Sequence, residues 1–265
     1  MTPLLLLPGT LCDERVWAPV RDAWASATGE GRRDIRTAAL EGRRSAAAMA
    51  SALLECMPDR CAIAGFSLGG IVALEMAAQA PDRVLGLALV ASNARPDPPE
   101  NAASRRAAVH RARSNGIESH VRDELLCRYF GSAHAQDRAL QDLVCRMAVD
   151  TGLDAYLAQS DIASNRSDSR PRLRDIVGPT LVVGGDEDGI NPPDRQEEMA
   201  RALPCAEWHQ VKHAGHFVPL EAPAELAELM ALWLHRVDAE RDARLSSQQP
   251  AEALDALRDE RLRGR

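Results

Sequence analysis

Short apolar runs alternate with helical patterns along the first third of the chain. The apolar runs predict strands and lie at residues 4–7, 61–64 and 84–91, with a weaker one at 34–39. An Ala-rich helical pattern at 45–57, with Ser45 as its N-cap, is typical of the segments between them. Because strands and helices alternate and the run at 84–91 has no polar positions, we expect a mostly parallel sheet with helices on both faces.

The pattern changes after residue 94. No strand-like run occurs over residues 95–175, and helical spacing is found there instead, at 102–113, 117–130, 135–148 and 153–163. Strand-like runs return at 180–183 and 206–211, and an amphipathic helix pattern follows at 221–237. The middle of the chain is therefore predicted to be a helical insertion between two strands of the sheet.

This pattern predicts one α/β domain with an insertion. Residues 1–94 and 176–237 are expected to form the core, and residues 95–175 a helical cap. The cap starts at the carboxyl end of a strand, which is where ligands bind in open parallel sheets, so we expect it to cover the functional site. Residues 238–265 are highly charged and predict a surface helix or tail with no catalytic role.

The most informative motif is Gly65-Phe-Ser67-Leu-Gly69, which lies between the run at 61–64 and an apolar helix pattern. A strand, a tight turn and a helix in this order predict a nucleophile elbow, which holds the serine in a strained backbone conformation. Glycines are needed two residues on either side because the turn leaves no room for side chains. The motif therefore predicts Ser67 as a nucleophile.

Two backbone amides are candidates for stabilising negative charge beside Ser67. The amide of Leu68 lies at the start of the next helix, where N–H groups have no intrahelical partner. The amide of Thr10 follows the strand at 4–7 and Gly9, so we expect it at the same edge of the sheet. Together these two N–H groups are predicted to form an oxyanion hole.

Serine needs a base, itself oriented by a carboxylate, to act as a nucleophile at neutral pH. His216 is the predicted base, rather than His213, because it follows Gly215 and precedes the apolar Phe217, which would tether its loop to the core. The acid is expected between Ser67 and His216 in the chain, which is the order found when each residue follows a successive strand.

The loop after the strand at 180–183 contains Asp186, Glu187 and Asp188, any of which could reach the imidazole. Asp188 is favoured because Gly189 relieves crowding beside an inward carboxylate. The pair Pro192-Pro193 then fixes the path into the next helix. With Ser67 and His216, this loop predicts a Ser-His-Asp hydrolase that works by two-step acyl transfer.

These motifs resemble those of the α/β-hydrolase superfamily, in its carboxylesterase-like branch, over the chain to about residue 237. The family's elbow, acid loop and histidine loop correspond to residues 65–70, 185–192 and 214–223. The cap and the serine make the chain similar to bacterial esterases of the pimeloyl-carrier methyl esterase type. Pro8-Gly-Thr resembles the family's His-Gly-x loop, with Pro8 in place of the histidine, and implies that Thr10 supplies an amide.

The resemblance implies an α/β-hydrolase fold and cleavage of a small-molecule carboxylic ester, with a small or medium acyl group, without a cofactor. A thioesterase, a C–C bond hydrolase or a cofactor-free perhydrolase of the same fold would keep the same triad and stays open. A non-enzymatic ligand receptor on this scaffold is a third possibility, which the intact triad disfavours. Haloalkane dehalogenases and epoxide hydrolases use an Asp carboxylate as the nucleophile at the elbow. The presence of Ser67 at this position therefore argues against both classes.

The charge of the chain limits the classes of partner that we expect it to bind. The net charge is −7 and the pI about 5.6, so no global basic field attracts nucleic acid or an anionic membrane. The leucine run at 4–7 has no basic residues before it and stops at Pro8, so it predicts neither a signal peptide nor a membrane span, and we expect a cytoplasmic protein. The sequence leaves the oligomeric state open.

The six cysteines form no C-x-x-C pair and no cluster with histidine at metal spacing. We therefore expect reduced, mostly buried thiols and no metal site.

Composition also suggests the character of the substrate pocket. Aromatic residues make up 3% of the chain, so we expect a pocket of Leu, Val, Ala and Met that suits aliphatic acyl groups. The arginine-rich cap segments, such as Arg105-Arg106 and 166–174, are interpreted as solvated helix faces. Contact of these arginines with an acidic substrate group is the alternative.

Overall fold

A parallel sheet forms the centre of the protein. The computed structural model describes residues 1–28 and 33–263, with side chains described for residues 1–26 and 33–246. The strands of this described part, in the spatial order β2-β1-β3-β4-β5-β6, all pair in parallel. They are β1 (Leu4–Leu7), β2 (Ile35–Thr37), β3 (Cys61–Phe66), β4 (Val84–Val90), β5 (Thr180–Gly185) and β6 (Ala206–Val211). The parallel sheet predicted from the sequence is confirmed.

The order in which the chain adds strands to the sheet changes direction after β2, because β2 lies on one side of β1 and β3 on the other. β2 lies outside β1 at one edge, whereas β3 and the later strands follow on the other side, with Leu7 opposite Gly65 at the carboxyl ends. The loops after β1 and β3 therefore meet at a topological switch point, which is where open α/β sheets bind their ligands. Thr10 follows β1 and Ser67 follows β3, so the fold places both residues at this point.

Helices cover both faces of the sheet, as predicted. They are α1 (Ala18–Thr28), α2 (Ala46–Cys56), α3 (Leu68–Gln79), α4 (Asn101–Asn115), α5 (Ile117–His120), α6 (Arg138–Ser164), α7 (Pro193–Ala202), α8 (Val218–Glu221) and α9 (Pro223–Arg263). Neighbouring residues of a strand point to opposite faces. Leu6 accordingly joins the apolar cluster of α1 and α9 around Trp233, whereas Leu7 joins that of α2, α3 and α7 around Met199.

The insertion between β4 and β5 is helical in the described structure. α4 and α6 are its main helices, and α6 contains a break at Gly152, whose φ is 81° and ψ 171°. The predicted helix at 117–130 is α-helical only to His120 and continues as a π-helical turn and a 3₁₀ turn. Such π turns are common at functional sites, and this one places His120 and Glu124 on the same cavity.

The last helix crosses position 238 without a break. α9 runs from Pro223 to Arg263, and the carboxylate of Asp238 accepts hydrogen bonds from the backbone N–H of Thr2, at 2.7 Å, and from Arg33, at 2.9 Å. The structure thus marks no element boundary where the tail was expected to begin. Residues 264 and 265 of that predicted tail lie outside the described residues.

The six cysteines lie in the described part of the chain and are all free thiols. Cys12, Cys61 and Cys145 are buried, but the other three are exposed, so the expectation that most are buried was wrong. Among the described residues, no helix is both long and apolar enough to cross a membrane.

Candidate active site

The turn after β3 holds Ser67 in an unusual backbone conformation, with φ 52° and ψ −111°. A Cβ on Gly65 would lie 2.4 Å from the carbonyl group of Gly69, and one on Gly69 would lie 2.5 Å from the carbonyl oxygen of Leu7. Both distances are far below van der Waals contact, so only glycine fits at either position. The turn therefore has the geometry that the sequence motif predicts, and it presents the half-buried Ser67 at a cavity.

Ser67, His216 and Asp188 form a continuous chain of hydrogen bonds. The Oγ of Ser67 lies 2.9 Å from Nε2 of His216, and Nδ1 of His216 lies 2.9 Å from Oδ2 of Asp188. His216 and Asp188 are each 3% exposed, so both side chains are shielded from solvent. A carboxylate that accepts from Nδ1 keeps the proton on that nitrogen and leaves Nε2 free to accept the serine proton.

The loop after β5 fixes the carboxylate of Asp188. Its Oδ1 accepts hydrogen bonds from the backbone N–H groups of Ile190 and Asn191, at 2.8 Å each. The side-chain amide of Asn191 donates in turn to the carbonyl oxygen of Ala91, at 2.7 Å, and accepts from Asn93 at 2.5 Å. These bonds tie the acid loop to the end of β4, so that Oδ2 of Asp188 faces His216.

Asp186 and Glu187, the other two candidate acids, point elsewhere. Asp186 accepts a hydrogen bond from the backbone N–H of His213 at 2.7 Å, and Glu187 accepts from the N–H and hydroxyl of Ser132 at 2.5 and 2.8 Å. The side chain of His213 is 74% exposed and lies near Glu187. The structure therefore brings Asp188 and His216 to Ser67 and leaves the alternatives at the surface.

The buried side chain of Glu221 positions the histidine loop. Its carboxylate accepts hydrogen bonds from the backbone N–H groups of Gly131 (2.7 Å), Gly215 (3.0 Å) and Phe217 (3.0 Å). Burial raises the pKa of Glu221, although these hydrogen bonds act in the opposite direction. The backbone N–H of His216 donates to the carbonyl oxygen of Tyr129 at 2.7 Å, so the histidine loop and the cap are joined on both sides of His216.

The loop after β1 lies beside the elbow. A Cβ added to Gly9 would be 3.4 Å from Cβ of Ser67, and Thr10 and Leu68 both line the cavity at Ser67. Within the described part of the chain, neither the N–H of Thr10 nor that of Leu68 donates to a protein acceptor. Two backbone donors beside the serine oxygen suit the predicted oxyanion hole.

Gln159 anchors this loop in a way that the sequence did not reveal. Its Oε1 accepts from the N–H of Leu11 at 2.8 Å, and its amide donates to the carbonyl oxygen of Leu40 at 3.1 Å. Leu11 has a φ of 58°, which is uncommon for a residue other than glycine. Trp17 Nε1 also donates to the carbonyl of Leu7 at 3.3 Å. Gln159 and Trp17 thus hold a loop in which Pro8 replaces the family's histidine.

A cavity of about 580 Å³ opens in front of Ser67 between the strand ends and the cap. Polar and aromatic side chains dominate its wall, so the expectation of a pocket built from Leu, Val, Ala and Met was wrong. Its aromatic residues include both tyrosines of the chain and two of its three phenylalanines: Tyr129, Tyr156, Phe66 and Phe217. Arg105 and Arg166 also line it, so these two are not part of a solvated helix face.

His120 and Glu124 also line this cavity. Nε2 of His120 lies 3.0 Å from the hydroxyl of Tyr156, and Nδ1 of His120 lies 3.3 Å from Glu124. The hydrogen bond from Arg111 lowers the pKa of Glu124 to about 2, so this carboxylate is ionised. Among the described residues, no group of three or more His, Cys, Asp and Glu side chains is arranged to hold a metal ion.

Known proteins resemble this chain in both sequence and structure. The biotin biosynthesis bifunctional protein BioHC of Cellvibrio japonicus is 26% identical over 230 residues, which is 84% of this chain and 45% of the relative. A pimeloyl-[acyl-carrier protein] methyl ester esterase of Neisseria meningitidis is 33% identical over 162 residues, 58% of this chain and 61% of the relative. The chain thus matches about half of the length of these relatives.

A solved structure of a thermophilic esterase from Thermogutta terrifontis, with malate bound, has a TM-score of 0.79 to this chain at 26% identity, over 89% of this chain and 90% of the esterase. The sequence profile of the family described as alpha/beta hydrolase fold matches residues 42–223. This segment covers more than half of the chain and includes Ser67, Asp188 and His216. The chain therefore belongs to the α/β hydrolase fold family.

Proposed function

We propose that this protein is a serine hydrolase that cleaves carboxylic esters of a small or medium acyl group through an acyl-enzyme. The observation that carries the proposal is the hydrogen-bond chain from Asp188 through His216 to Ser67, which ends at a cavity. The reaction class agrees with the relatives, of which one is a methyl ester esterase and another an esterase of known structure.

In the first step, Nε2 of His216 accepts the proton of the Ser67 hydroxyl while the serine oxygen attacks the ester carbonyl. Asp188 keeps the imidazole in the tautomer that can accept this proton and stabilises the imidazolium that forms. The imidazolium then donates its proton to the leaving alcohol, which departs and leaves the acyl group on Ser67.

The negative charge on the carbonyl oxygen is stabilised by the N–H groups of Leu68 and Thr10, which are fixed before the substrate binds. In the second step, water loses a proton to Nε2 of His216 and attacks the acyl-enzyme. Ser67 then takes the proton back and the carboxylic acid is released. Each step uses groups of the chain itself, water and the substrate.

A fluorophosphonate probe tests the proposal without knowledge of the substrate. The wild-type protein should be labelled on Ser67 and should hydrolyse p-nitrophenyl esters. Ser67→Ala should lose labelling and at least about 10⁴-fold in kcat, with an unchanged melting temperature because the hydroxyl fills no packed space. Ser51→Ala, which removes an exposed hydroxyl on α2, serves as the matched control. Labelling of Ser67→Ala at the wild-type rate would refute Ser67 as the nucleophile.

Acyl-thioesters of the same chain length should be included in the substrate panel. The proposal expects the oxygen esters to be hydrolysed with a kcat/KM at least equal to that of the thioesters. A clear preference for thioesters would keep the triad chemistry but change the substrate class.

A further inference from the structure

The cavity in front of Ser67 carries an excess of positive charge, although the chain as a whole has a net charge of −7. The excess is three charges, because five arginines and only two carboxylates, Asp97 and Glu124, line the cavity. The arginines are Arg105, Arg111, Arg128, Arg166 and Arg195. Charge of one sign in a concave, poorly hydrated site raises the local concentration of ligands of the opposite sign.

Two of the five arginines are exposed and have partners of their own. Arg111 is an exposed residue and forms an ion pair with Glu124 at 2.7 Å. Arg128 is also exposed and donates to the carbonyl oxygen of Gly189 at 3.1 Å. Water and salt screen the charges of both side chains, so neither arginine accounts for the excess of positive charge inside the cavity.

Two of the other three arginines, Arg105 and Arg166, share a single carboxylate. Arg105 binds both oxygens of Asp97, at 2.6 and 2.9 Å, and Nη1 of Arg166 lies 3.2 Å from Oδ1 of the same residue. The side chains of Asp97 and Arg166 are only 3% and 6% exposed. Arg166 is held further by the carbonyl oxygens of Ala163, at 2.6 Å, and Arg95, at 2.8 Å. One negative charge therefore balances two buried or half-buried guanidinium groups.

Arg195 adds a third positive charge to this group. It lies in the first turn of α7, is half-buried, and forms an ion pair with no carboxylate in the described part of the chain. Burial lowers the pKa of Arg166, and the charges of Arg105 and Arg195 act in the same direction, against the attraction of Asp97. Arg195 lines the same cavity as Arg105 and Arg166. The other carboxylate of the described cavity wall, Glu124, is paired with Arg111, so no further anion balances the charge of Arg195.

We propose that Arg105, Arg166 and Arg195, which we call the arginine subsite, bind an anionic group of the substrate other than the ester that is cleaved. A carboxylate or a phosphate would suit, since guanidinium groups bind either with paired N–H donors. The subsite rests on the proposed function, because it lies in the same cavity as Ser67. It makes the substrate class an ester that carries a negative charge on its acyl or alcohol part.

The first experiment compares two esters of similar length, p-nitrophenyl butyrate and the mono-p-nitrophenyl ester of glutaric acid. The second carries a carboxylate in place of one hydrogen of the terminal methyl group of the first. The wild-type protein should show the higher kcat/KM for the glutarate ester, and Arg195→Gln should lower the ratio of the two values at least tenfold. Arg201→Gln is the matched control, because Arg201 is on the same helix but is exposed and paired with Glu197.

An unchanged ratio in Arg195→Gln would overturn the subsite, and so would an equal fall in Arg201→Gln, which would indicate a general charge effect. Hydrolysis of p-nitrophenyl butyrate reports on the proposed function separately, since that ester has no anionic group. The subsite can also be tested without turnover, by calorimetric titration of Ser67→Ala with glutarate and with propyl phosphate, which has no carboxylate. If glutarate binds and Arg195→Gln weakens its binding at least tenfold, the ligand is supported as a carboxylate. The same result with propyl phosphate would support a phosphate ligand. Binding of neither would overturn the proposal.

Discussion

Replacing Asp188 by Asn tests the assignment of the acid most directly. The Asn side chain has the same shape, but it offers one carbonyl oxygen and one NH₂ group where Asp has two acceptors. In the structure, Oδ1 of Asp188 accepts two backbone N–H groups, those of Ile190 and Asn191 at 2.8 Å each. The Asn oxygen is expected to keep these two bonds, because the opposite orientation would point NH₂ at two donors.

The orientation of the Asn amide determines the tautomer of His216. If the Asn oxygen stays on the backbone donors, the NH₂ group faces Nδ1 of His216. Nδ1 must then act as an acceptor, so the imidazole carries its proton on Nε2. A protonated Nε2 cannot accept the Ser67 proton. The opposite orientation loses two hydrogen bonds, at about 1–3 kcal/mol each for a buried donor left unpaired. The inactive tautomer is therefore favoured, and kcat should fall about 10⁴-fold, or about 5 kcal/mol of transition-state stabilisation.

Asp186→Asn is the matched control two residues away. Its Oδ1 accepts from the N–H of His213, which an Asn oxygen also does, so its kcat should stay within roughly tenfold of wild type. The assay is kcat and KM of both variants on one activated p-nitrophenyl ester, with circular dichroism to verify folding. A severe loss in Asp186→Asn with a mild loss in Asp188→Asn would refute the reasoning and move the acid to Asp186.

Three further changes test the supports of the site. Gln159→Leu removes the acceptor for the N–H of Leu11 and should lower kcat about 10- to 100-fold with little change in KM, whereas Gln141→Leu on the same helix should not. Glu221→Gln points an NH₂ group at backbone donors and should lower the free energy of unfolding by about 3 kcal/mol in urea titrations. Although burial alone raises the pKa of Asp238, hydrogen bonds from Arg33 and Thr2 hold it at about 2. Its stabilising effect is therefore present above the unfolded pKa of about 4 and is lost as the pH falls towards 2. Asp238→Asn should be about 2 kcal/mol less stable at pH 6 and no less stable near pH 2, and an equal difference at both pH values would contradict this.

The parts of the site that lie on strand ends could be predicted from the sequence. The elbow is specified locally, since Gly65 and Gly69 are the residues that leave room for its turn. The choice of Asp188 over Asp186 and Glu187 followed from the Gly and Pro residues around it, and the structure places Asp188 against His216. Such features depend on neighbours within a few residues, which a sequence displays directly.

The parts that depend on distant contacts could not be predicted. Gln159 and Leu11 are 148 residues apart, and nothing in the helical pattern of 153–163 marks one glutamine as the anchor of another loop. The prediction of an aliphatic pocket was wrong for a similar reason, because a composition of 3% aromatic residues does not show that both tyrosines and two of the three phenylalanines converge on one cavity. Arg105 and Arg166 likewise look like surface charges until the fold brings both to Asp97.

The hydrogen bonds between the histidine loop and residues 129–132 restrict how new substrate pockets can be engineered into this protein. The carboxylate of Glu221 accepts from Gly131, that of Glu187 accepts from Ser132, and the N–H of His216 donates to Tyr129, so these three cap residues help to position the triad. A chimera that exchanged the whole cap for that of another hydrolase would lose these bonds and leave His216 poorly positioned. A chimera that retained residues 129–132 and Gln159, and exchanged α4 and the rest of α6 after the break at Gly152, would alter the pocket and preserve both the base and the anchor of the Leu11 loop.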